Sequence, residues 1–152
     1  MSTNRIGRMG GFTLIEILIV VVILGILASV VIVQVSSATA DSRRTAASSS
    51  VQTLRHQITL YRVQHRDTNP PVGQVWTNLQ ARTDEFGNVG SDDIHKYGPY
   101  VAQEPVNPYN GLGTVADVSA PGAIPSDADL DIKTFGFLYD VETGRIWANR
   151  GN

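Results

Sequence analysis

The chain of 152 residues contains no cysteine, so no disulfide bond can stabilise it. It also lacks a basic excess, because 12 lysine and arginine residues face 14 acidic ones, which argues against a general nucleic-acid-binding surface. The sequence has no nucleophile motif, no glycine-rich phosphate loop and no catalytic pair of carboxylates. We therefore expect no enzymatic activity and no nucleic-acid partner. A chain of this length is long enough for one small domain and one additional helix.

Charge is also scarce in residues 12–35, which are apolar, small or neutral polar residues apart from Glu16. After Glu16 the next charged residue is Asp41. A membrane-spanning helix needs about 20 apolar residues, so residues 12–35 are predicted to cross a bilayer. A carboxylate inside such a segment costs about 2.5–3.5 kcal/mol on insertion scales, and Glu16 is therefore a candidate functional residue.

Glu16 ends a motif that begins at paired glycines and follows a short basic segment: Gly10-Gly11-Phe12-Thr13-Leu14-Ile15-Glu16. This motif resembles the class III (prepilin) signal of the type IV pilin-like superfamily. The resemblance implies that residues 1–11 are a leader, and that a prepilin peptidase cleaves between Gly11 and Phe12 and methylates Phe12. It also implies that Glu16 meets the Phe12 amine of a neighbouring subunit during filament assembly.

The chemistry of this pair agrees with the implied role of Glu16. Cleavage creates an α-amine with a pKa of about 7.7–8.0, which is mostly cationic at neutral pH. In apolar surroundings the cation and the carboxylate are each costly alone and much less costly as a pair. We therefore expect the pair to set the axial register between apolar helices more than to stabilise them.

Two other interpretations of the N-terminus remain. Ala38-Thr39-Ala40 has the small residues of a secretory signal-peptidase site, although the apolar segment exceeds the roughly 7–15 residues usual for such a signal. The segment can also be a plain signal anchor for an unrelated periplasmic binding module. In each interpretation Arg5 and Arg8 stay in the cytoplasm and the rest of the chain is exported.

Apolar residues continue at helical spacing beyond the predicted span: Ala47, Val51, Leu54, Ile58 and Tyr61. This spacing predicts an amphipathic helix, which Asn69-Pro70-Pro71 ends. Residues 76–81 are predicted to form a second, short helix. The amphipathic half needs a sheet to cover its apolar face.

The C-terminal residues have the clearest β pattern. Aromatic residues alternate in residues 134–140, Glu142-Thr143-Gly144 is a turn, and residues 145–148 return, which predicts a hairpin. Phe135, Phe137 and Tyr139 are expected to share one face, while Trp147 is expected to pack rather than to bind a ligand. We therefore predict an α+β, pilin-like fold, in which a long N-terminal helix packs on a small antiparallel sheet. Residues 36–152 are predicted to form the periplasmic globular domain.

Three further segments resemble the major pseudopilins of type II secretion: Leu60–Val63 before Asn69-Pro70, Tyr97–Val101, and Glu104–Pro108. The resemblance implies a structural subunit of an inner-membrane-anchored pseudopilus. Its partners are copies of itself, minor pseudopilins and the inner-membrane assembly platform. A type IV pilin for adhesion, motility or DNA uptake is the alternative. The helix proline usual in the family is missing near Val30–Val33.

Asp127, Asp129 and Asp131 form an Asp-x-Asp-x-Asp run whose carboxylates can converge on one calcium ion. The resemblance adds to this prediction, because major pseudopilins bind calcium in a C-terminal loop. A solvated acidic loop without a metal is the alternative.

Histidines provide the other candidate ligands. Asp92, Asp93 and His95 can form a zinc site, but a solvated loop is the expected arrangement. His56 and His65 are expected at the surface of the amphipathic helix.

Overall fold

The computed structural model describes residues 11–118, 120–132 and 134–151, with the side chains of residues 31–36 outside the description. The predicted leader, apart from Gly11, lies outside these residues. Helix α1 spans Leu14–Gln64, a 3₁₀ turn spans Val72–Gln74, and helix α2 spans Val75–Gln80. Strands follow at Val115–Asp117 (β1), Phe137–Asp140 (β2) and Arg145–Ala148 (β3). A long helix followed by a small sheet confirms the predicted α+β class.

The chain divides into two compact units, Met1–Ala40 and Asp41–Asn152. The described part of the first unit is the N-terminal part of α1 and the residues just before it. The second unit contains the rest of α1, together with α2 and the sheet. All buried apolar side chains of the described residues belong to this second unit.

Within the second unit, α1 buries the face that its apolar spacing predicted. Ile58 is 1 % exposed and Tyr61 2 % exposed. The same cluster contains Phe137, Tyr139 and Ile146 from the sheet. Burial of one large apolar side chain contributes about 1.5–3 kcal/mol, so contact between this helix face and the sheet is the main apolar stabilisation of the unit.

Helix α1 ends before Asn69-Pro70-Pro71, as predicted. Asp67 has a φ of 61°, in the left-handed region that commonly follows a helix end. Asn69 then donates from Nδ2 to the carbonyl oxygens of Val141 and Glu142, at 3.0 and 3.2 Å. These bonds fix the segment after α1 to the turn between β2 and β3.

The strand order in the sheet is β1-β2-β3. β2 and β3 are antiparallel, with Phe137 opposite Ala148, which confirms the predicted hairpin. β1 is parallel to β2, with Val115 opposite Phe137, so the sheet is mixed and differs in this strand from the predicted antiparallel one. Residues 118–136 form the long connection that a parallel pair requires.

The two faces of β2 contact different clusters. Phe137 and Tyr139 face α1, whereas Leu138 belongs to a second, smaller apolar cluster. Phe135 joins this second cluster, so its predicted position beside Phe137 and Tyr139 is wrong. The reason is that Phe135 precedes β2 and does not follow the alternation of that strand. Trp147 also packs against the second cluster, which confirms the prediction that this side chain packs.

Two buried asparagines join the loops around the sheet, and each is 0 % exposed. Asn107 donates from Nδ2 to the carbonyl oxygens of Gly136 and Asn149, both at 2.6 Å. Asn149 donates from Nδ2 to the carbonyl oxygen of Phe135 at 2.7 Å and also to that of Ile132. In a chain without cysteine, these hydrogen bonds connect segments that are distant in sequence.

Asp140, at the end of β2, is also 0 % exposed. Its carboxylate accepts hydrogen bonds from Thr143 Oγ1 at 2.7 Å, from the Gly122 amide at 2.8 Å and from the Glu142 amide at 2.9 Å. Burial by itself raises the pKa of Asp140, but the hydrogen bonds from Thr143, Gly122 and Glu142 outweigh burial and lower this pKa below its ordinary value. The carboxylate therefore ties Gly122 to the β2–β3 turn.

Replacement of Asn107 by alanine is expected to destabilise the second unit. The change leaves the buried carbonyls of Gly136 and Asn149 without this donor, and the free energy of unfolding should fall by about 2–4 kcal/mol. Chemical denaturation of the full chain, followed by tryptophan fluorescence, measures the loss. Asn88→Ala is the matched control, because Asn88 is exposed and its side chain donates to the surface carboxylate of Asp84. An equal loss in this control would contradict the role of Asn107.

The lowered pKa of Asp140 predicts a loss of stability in acid. The unfolded-state pKa is about 3.9, so the stabilisation is fully present above that value and is lost as the pH falls through the lower folded-state pKa. Asp140→Asn should lower the free energy of unfolding at neutral pH and should reduce the further loss below about pH 4. Asp117→Asn, at an exposed position, is the control. Denaturation curves at neutral and acidic pH test the prediction, which fails if Asp140→Asn retains the acid sensitivity of the wild type.

Candidate functional site

The predicted processing site lies immediately before helix α1. Gly11, Phe12 and Thr13 are exposed and non-helical, and α1 begins at Leu14. The Phe12 residue is 82 % exposed, and no heavy atom lies within 4 Å of the position that a Cβ would take on Gly11. The peptide bond between Gly11 and Phe12 is therefore accessible in the described chain.

Thr13 and Glu16 form a reciprocal cap at the first turn of α1. The Thr13 amide and hydroxyl both donate to Glu16 Oε2 at 2.9 Å, and the Glu16 amide donates back to Thr13 Oγ1 at 3.3 Å. This is the capping-box arrangement, in which the side chains at the two ends of a Thr-x-x-Glu segment satisfy free amides of the first turn. Thr13-x-x-Glu16 is the typical sequence pattern of this box, although the expectations from the sequence did not include it.

The cap gives the Glu16 carboxylate a local hydrogen-bond partner at the start of the apolar segment. Glu16 is exposed, and among the described residues the hydrogen bonds that it accepts go to Oε2. Oε1 is thus available to a further donor while Thr13 keeps the carboxylate at the helix end. This arrangement can bind one additional cation without losing the cap.

The N-terminal part of α1 is apolar on all sides. From Leu14 to Val30, the leucine, isoleucine and valine residues are 51–85 % exposed. Such a surface requires apolar neighbours, either lipid or other helices. Within the described residues, no helix combines the length and the hydropathy that a bilayer crossing requires. The span predicted at residues 12–35 includes side chains outside the description and stays a prediction.

The three aspartates of the predicted calcium site have separate surroundings. Asp127 pairs with Arg150 at 3.0 Å, and Asp131 is exposed. Hydrogen bonds from the Ser126 hydroxyl and amide lower the pKa of Asp129. Among the described residues, no three acidic, histidine or cysteine side chains form a group that could hold a metal ion. The described carboxylates thus do not fit a calcium site, and calcium binding stays a prediction without geometric support.

The prediction that His65 lies at the surface is wrong, because this residue is 1 % exposed. Its ring stacks on Tyr61 with the centroids 3.7 Å apart, and Nε2 lies 2.8 Å from Thr83 Oγ1. His65 is four residues beyond Tyr61, so the buried face of α1 continues for one more turn than the apolar spacing indicated. His56 is exposed, as predicted. The expected solvated loop holds for Asp92 and Asp93, which are exposed, but is wrong for His95, which is only 7 % exposed.

Comparison with known families matches residues 7–32 to the family described as prokaryotic N-terminal methylation motif. The matched segment includes Gly11, Phe12 and Glu16. Over 116 residues, the chain is 33 % identical to the type II secretion system core protein G of Pseudomonas aeruginosa strain PAO1, with 76 % of each chain covered. No solved structure matches. An N-terminal methylation motif and this degree of identity over most of both chains lead to one assignment: the chain belongs to the family of type II secretion system core protein G, the major pseudopilins of the type IV pilin-like superfamily.

Proposed function

We propose that this chain is a structural subunit of a type II secretion pseudopilus, a filament that assembles through N-terminal helices and drives protein export. The identity with core protein G over 76 % of the chain is the observation on which the proposal depends. The methylation motif at the start of an apolar helix supports it. The proposed role is mechanical and structural rather than catalytic.

The precursor waits in the inner membrane with residues 12–35 across the bilayer and residues 36–152 in the periplasm. A prepilin peptidase removes residues 1–11 and methylates Phe12. The exposed position of Phe12 ahead of α1 suits both steps. Mature subunits then enter the filament with the inner-membrane assembly platform and minor pseudopilins as partners.

Glu16 selects and aligns the incoming subunit in this proposal. Thr13 occupies Oε2 from two donors at 2.9 Å, which leaves Oε1 for the Phe12 amine of a neighbouring subunit. In apolar surroundings the amine and the carboxylate are tolerated as a pair far better than separately. Contacts among the exposed leucine, isoleucine and valine side chains are non-directional, so this polar pair defines the register.

A type IV pilin for adhesion, motility or DNA uptake is the second candidate, because the methylation motif is common to pilins and pseudopilins. The likeness to core protein G favours secretion. A deletion strain distinguishes the two: the pseudopilus predicts loss of exoprotein secretion, whereas the pilus predicts loss of motility, adhesion or DNA uptake. A signal-anchored binding module, the third possibility, predicts no filaments.

Glu16→Ala should abolish filament assembly while the second unit stays folded. The reason is that an incoming Phe12 amine then has no carboxylate partner in the apolar core of the filament. Filaments sheared from cells that overexpress the full chain are measured by electron microscopy and immunoblot, together with secretion by the complemented deletion strain. Glu142→Ala, at an exposed position of the β2–β3 turn, is the control. Normal filaments from Glu16→Ala would refute the assembly role.

Thr13→Val tests whether the cap positions Glu16. The substitution keeps the shape of the side chain but removes the hydroxyl, which costs about 1 kcal/mol of helix capping and leaves the Glu16 carboxylate held by the backbone amide of residue 13 alone. Filament yield should fall to roughly a fifth, a smaller loss than for Glu16→Ala, if the lost capping energy is expressed in assembly. Thr13→Ser keeps the hydroxyl and should retain the wild-type yield. Equal yields from the valine and serine variants would contradict a positioning role for Thr13.

A further inference from the structure

Arginine side chains surround one cleft of the second unit. The cleft has a volume of about 500 Å³, and its lining includes Arg44, Arg55, Trp147 and Arg150. Arg145 lies beside it, with the guanidinium carbon 5.8 Å from the centroid of the Trp147 ring. We call this surface, including Arg145, the arginine groove. It combines positive charge with a partly buried aromatic ring.

Like charges face one another in the arginine groove. Arg55 donates from Nε and Nη2 to the carbonyl oxygen of Ile146, at 3.1 and 2.9 Å, and its guanidinium carbon also lies 5.8 Å from the Trp147 ring centroid. Burial and the neighbouring charge of Arg145 lower the pKa of Arg55. The groove therefore contains cations that are held close together by backbone and aromatic contacts.

Few carboxylates balance these cations. In the described part of the chain, Arg150 pairs with Asp127 at 3.0 Å, whereas Arg44, Arg55 and Arg145 have no ion pair. The chain as a whole has more acidic than basic residues, so this concentration of positive charge is local. A surface of this kind attracts an anionic partner.

The complementary charge lies in the loop that follows α2. Residues 84–94, which we call the acidic loop, contain no basic residue and four acidic ones: Asp84, Glu85, Asp92 and Asp93. Phe86 and Ile94 in this loop are each 64 % exposed. The acidic loop thus combines an excess of negative charge with exposed apolar side chains. Arg82 and Lys96 flank the loop in sequence, and the Arg66 guanidinium carbon lies 5.2 Å from the Phe86 ring centroid.

The two surfaces lie at different levels of α1. Asn78 fixes the acidic loop near the end of the helix, since Nδ2 donates to Tyr61 Oη at 2.9 Å and to the Gly87 carbonyl oxygen at 3.0 Å. The arginine groove instead lies along residues 44–55 of the helix. At 1.5 Å per residue, the two levels are separated by roughly 20 Å along this part of α1.

We propose that the arginine groove of one subunit binds the acidic loop of another copy of this chain that is displaced along the helix axis. The proposal rests on the proposed filament, in which the helices run in the same direction. Both surfaces belong to one chain, match in charge and aromatic character, and lie too far apart to meet within it. Parallel subunits join such surfaces head to tail, and a head-to-tail contact that does not close produces an open filament.

Charge reversal and restoration test this contact in the full chain. Arg44→Glu/Arg145→Glu changes two of the three exposed arginines of the groove and leaves Arg150 paired with Asp127 and Arg55 bonded to Ile146. The yield of sheared filaments from the complemented deletion strain should fall about tenfold, because like charges then face each other across the interface. Asp92→Arg/Asp93→Arg should cause the same loss. A chain with all four changes again places opposite charges across the interface. If the contact is electrostatic, this chain should recover about half of the wild-type filament yield or more.

Arg43→Glu/Thr68→Glu is the control, since it adds negative charge at exposed positions outside both the arginine groove and the acidic loop and should retain filaments. Unchanged yield in either double variant, or a loss that the fourfold variant does not restore, would overturn the proposal. Normal filaments with lost secretion would also overturn it and would assign the groove to an acidic exported protein. If the wild-type chain forms no filaments, the proposed function itself is wrong, and this outcome differs from the loss of filaments in the variants alone.

Discussion

The need of helix α1 for apolar neighbours is the constraint on which the rest of the molecule depends. In the second unit the sheet meets this need, because Phe137, Tyr139 and Ile146 cover the helix face that contains Ile58 and Tyr61. In the first unit the described chain offers no such cover to the apolar side chains from Leu14 to Val30. The same helix therefore specifies a folded domain at one end and an intermolecular contact, with lipid or with other helices, at the other.

Hydrogen bonds from buried polar side chains take the structural place that a disulfide would occupy in the C-terminal loops. Asn107 reaches Gly136 and Asn149, and Asp140 joins Gly122 to the β2–β3 turn. These groups are stabilising because every one is paired, and the loss of one partner would leave others buried without a donor or acceptor. They also fix the loops beside strand β3, which carries Trp147 into the lining of the arginine groove.

Much of the fold is predictable from the sequence because apolar periodicity is a direct consequence of burial. The spacing from Ala47 to Tyr61 predicts the buried helix face, and the turn at Gly144 predicts the hairpin. β1 escapes prediction because its three residues, Val115–Asp117, are too few for an alternation, and its pairing depends on a partner twenty-two positions along the chain. His65 escapes because a polar side chain on an apolar face is identified as buried only when its hydrogen-bond partners are known.

The candidate site also has one part that the sequence predicts and another that depends on contacts between distant residues. The position of Glu16 in an apolar segment and the cap signature Thr13-x-x-Glu16 are both present in the sequence, although the cap was overlooked. The calcium prediction rests on the alternate spacing of three carboxylates and stays a prediction. Spacing alone gives no information on which distant cation or local donor contacts each carboxylate, such as Arg150 at Asp127 and Ser126 at Asp129.

Two polar contacts of the proposed filament imply different displacements between subunits. A Phe12 amine that reaches Glu16 of another copy is shifted by four residues, which is about 6 Å of helix. An acidic loop that reaches the arginine groove is shifted by roughly 20 Å along the helix of the second unit. The proposed pair of Phe12 and Glu16 acts among the apolar helices of the first unit, where it sets the register that non-directional contacts leave open. The proposed contact of the arginine groove acts between folded domains of the second unit, so in this proposal assembly depends on charge in both units.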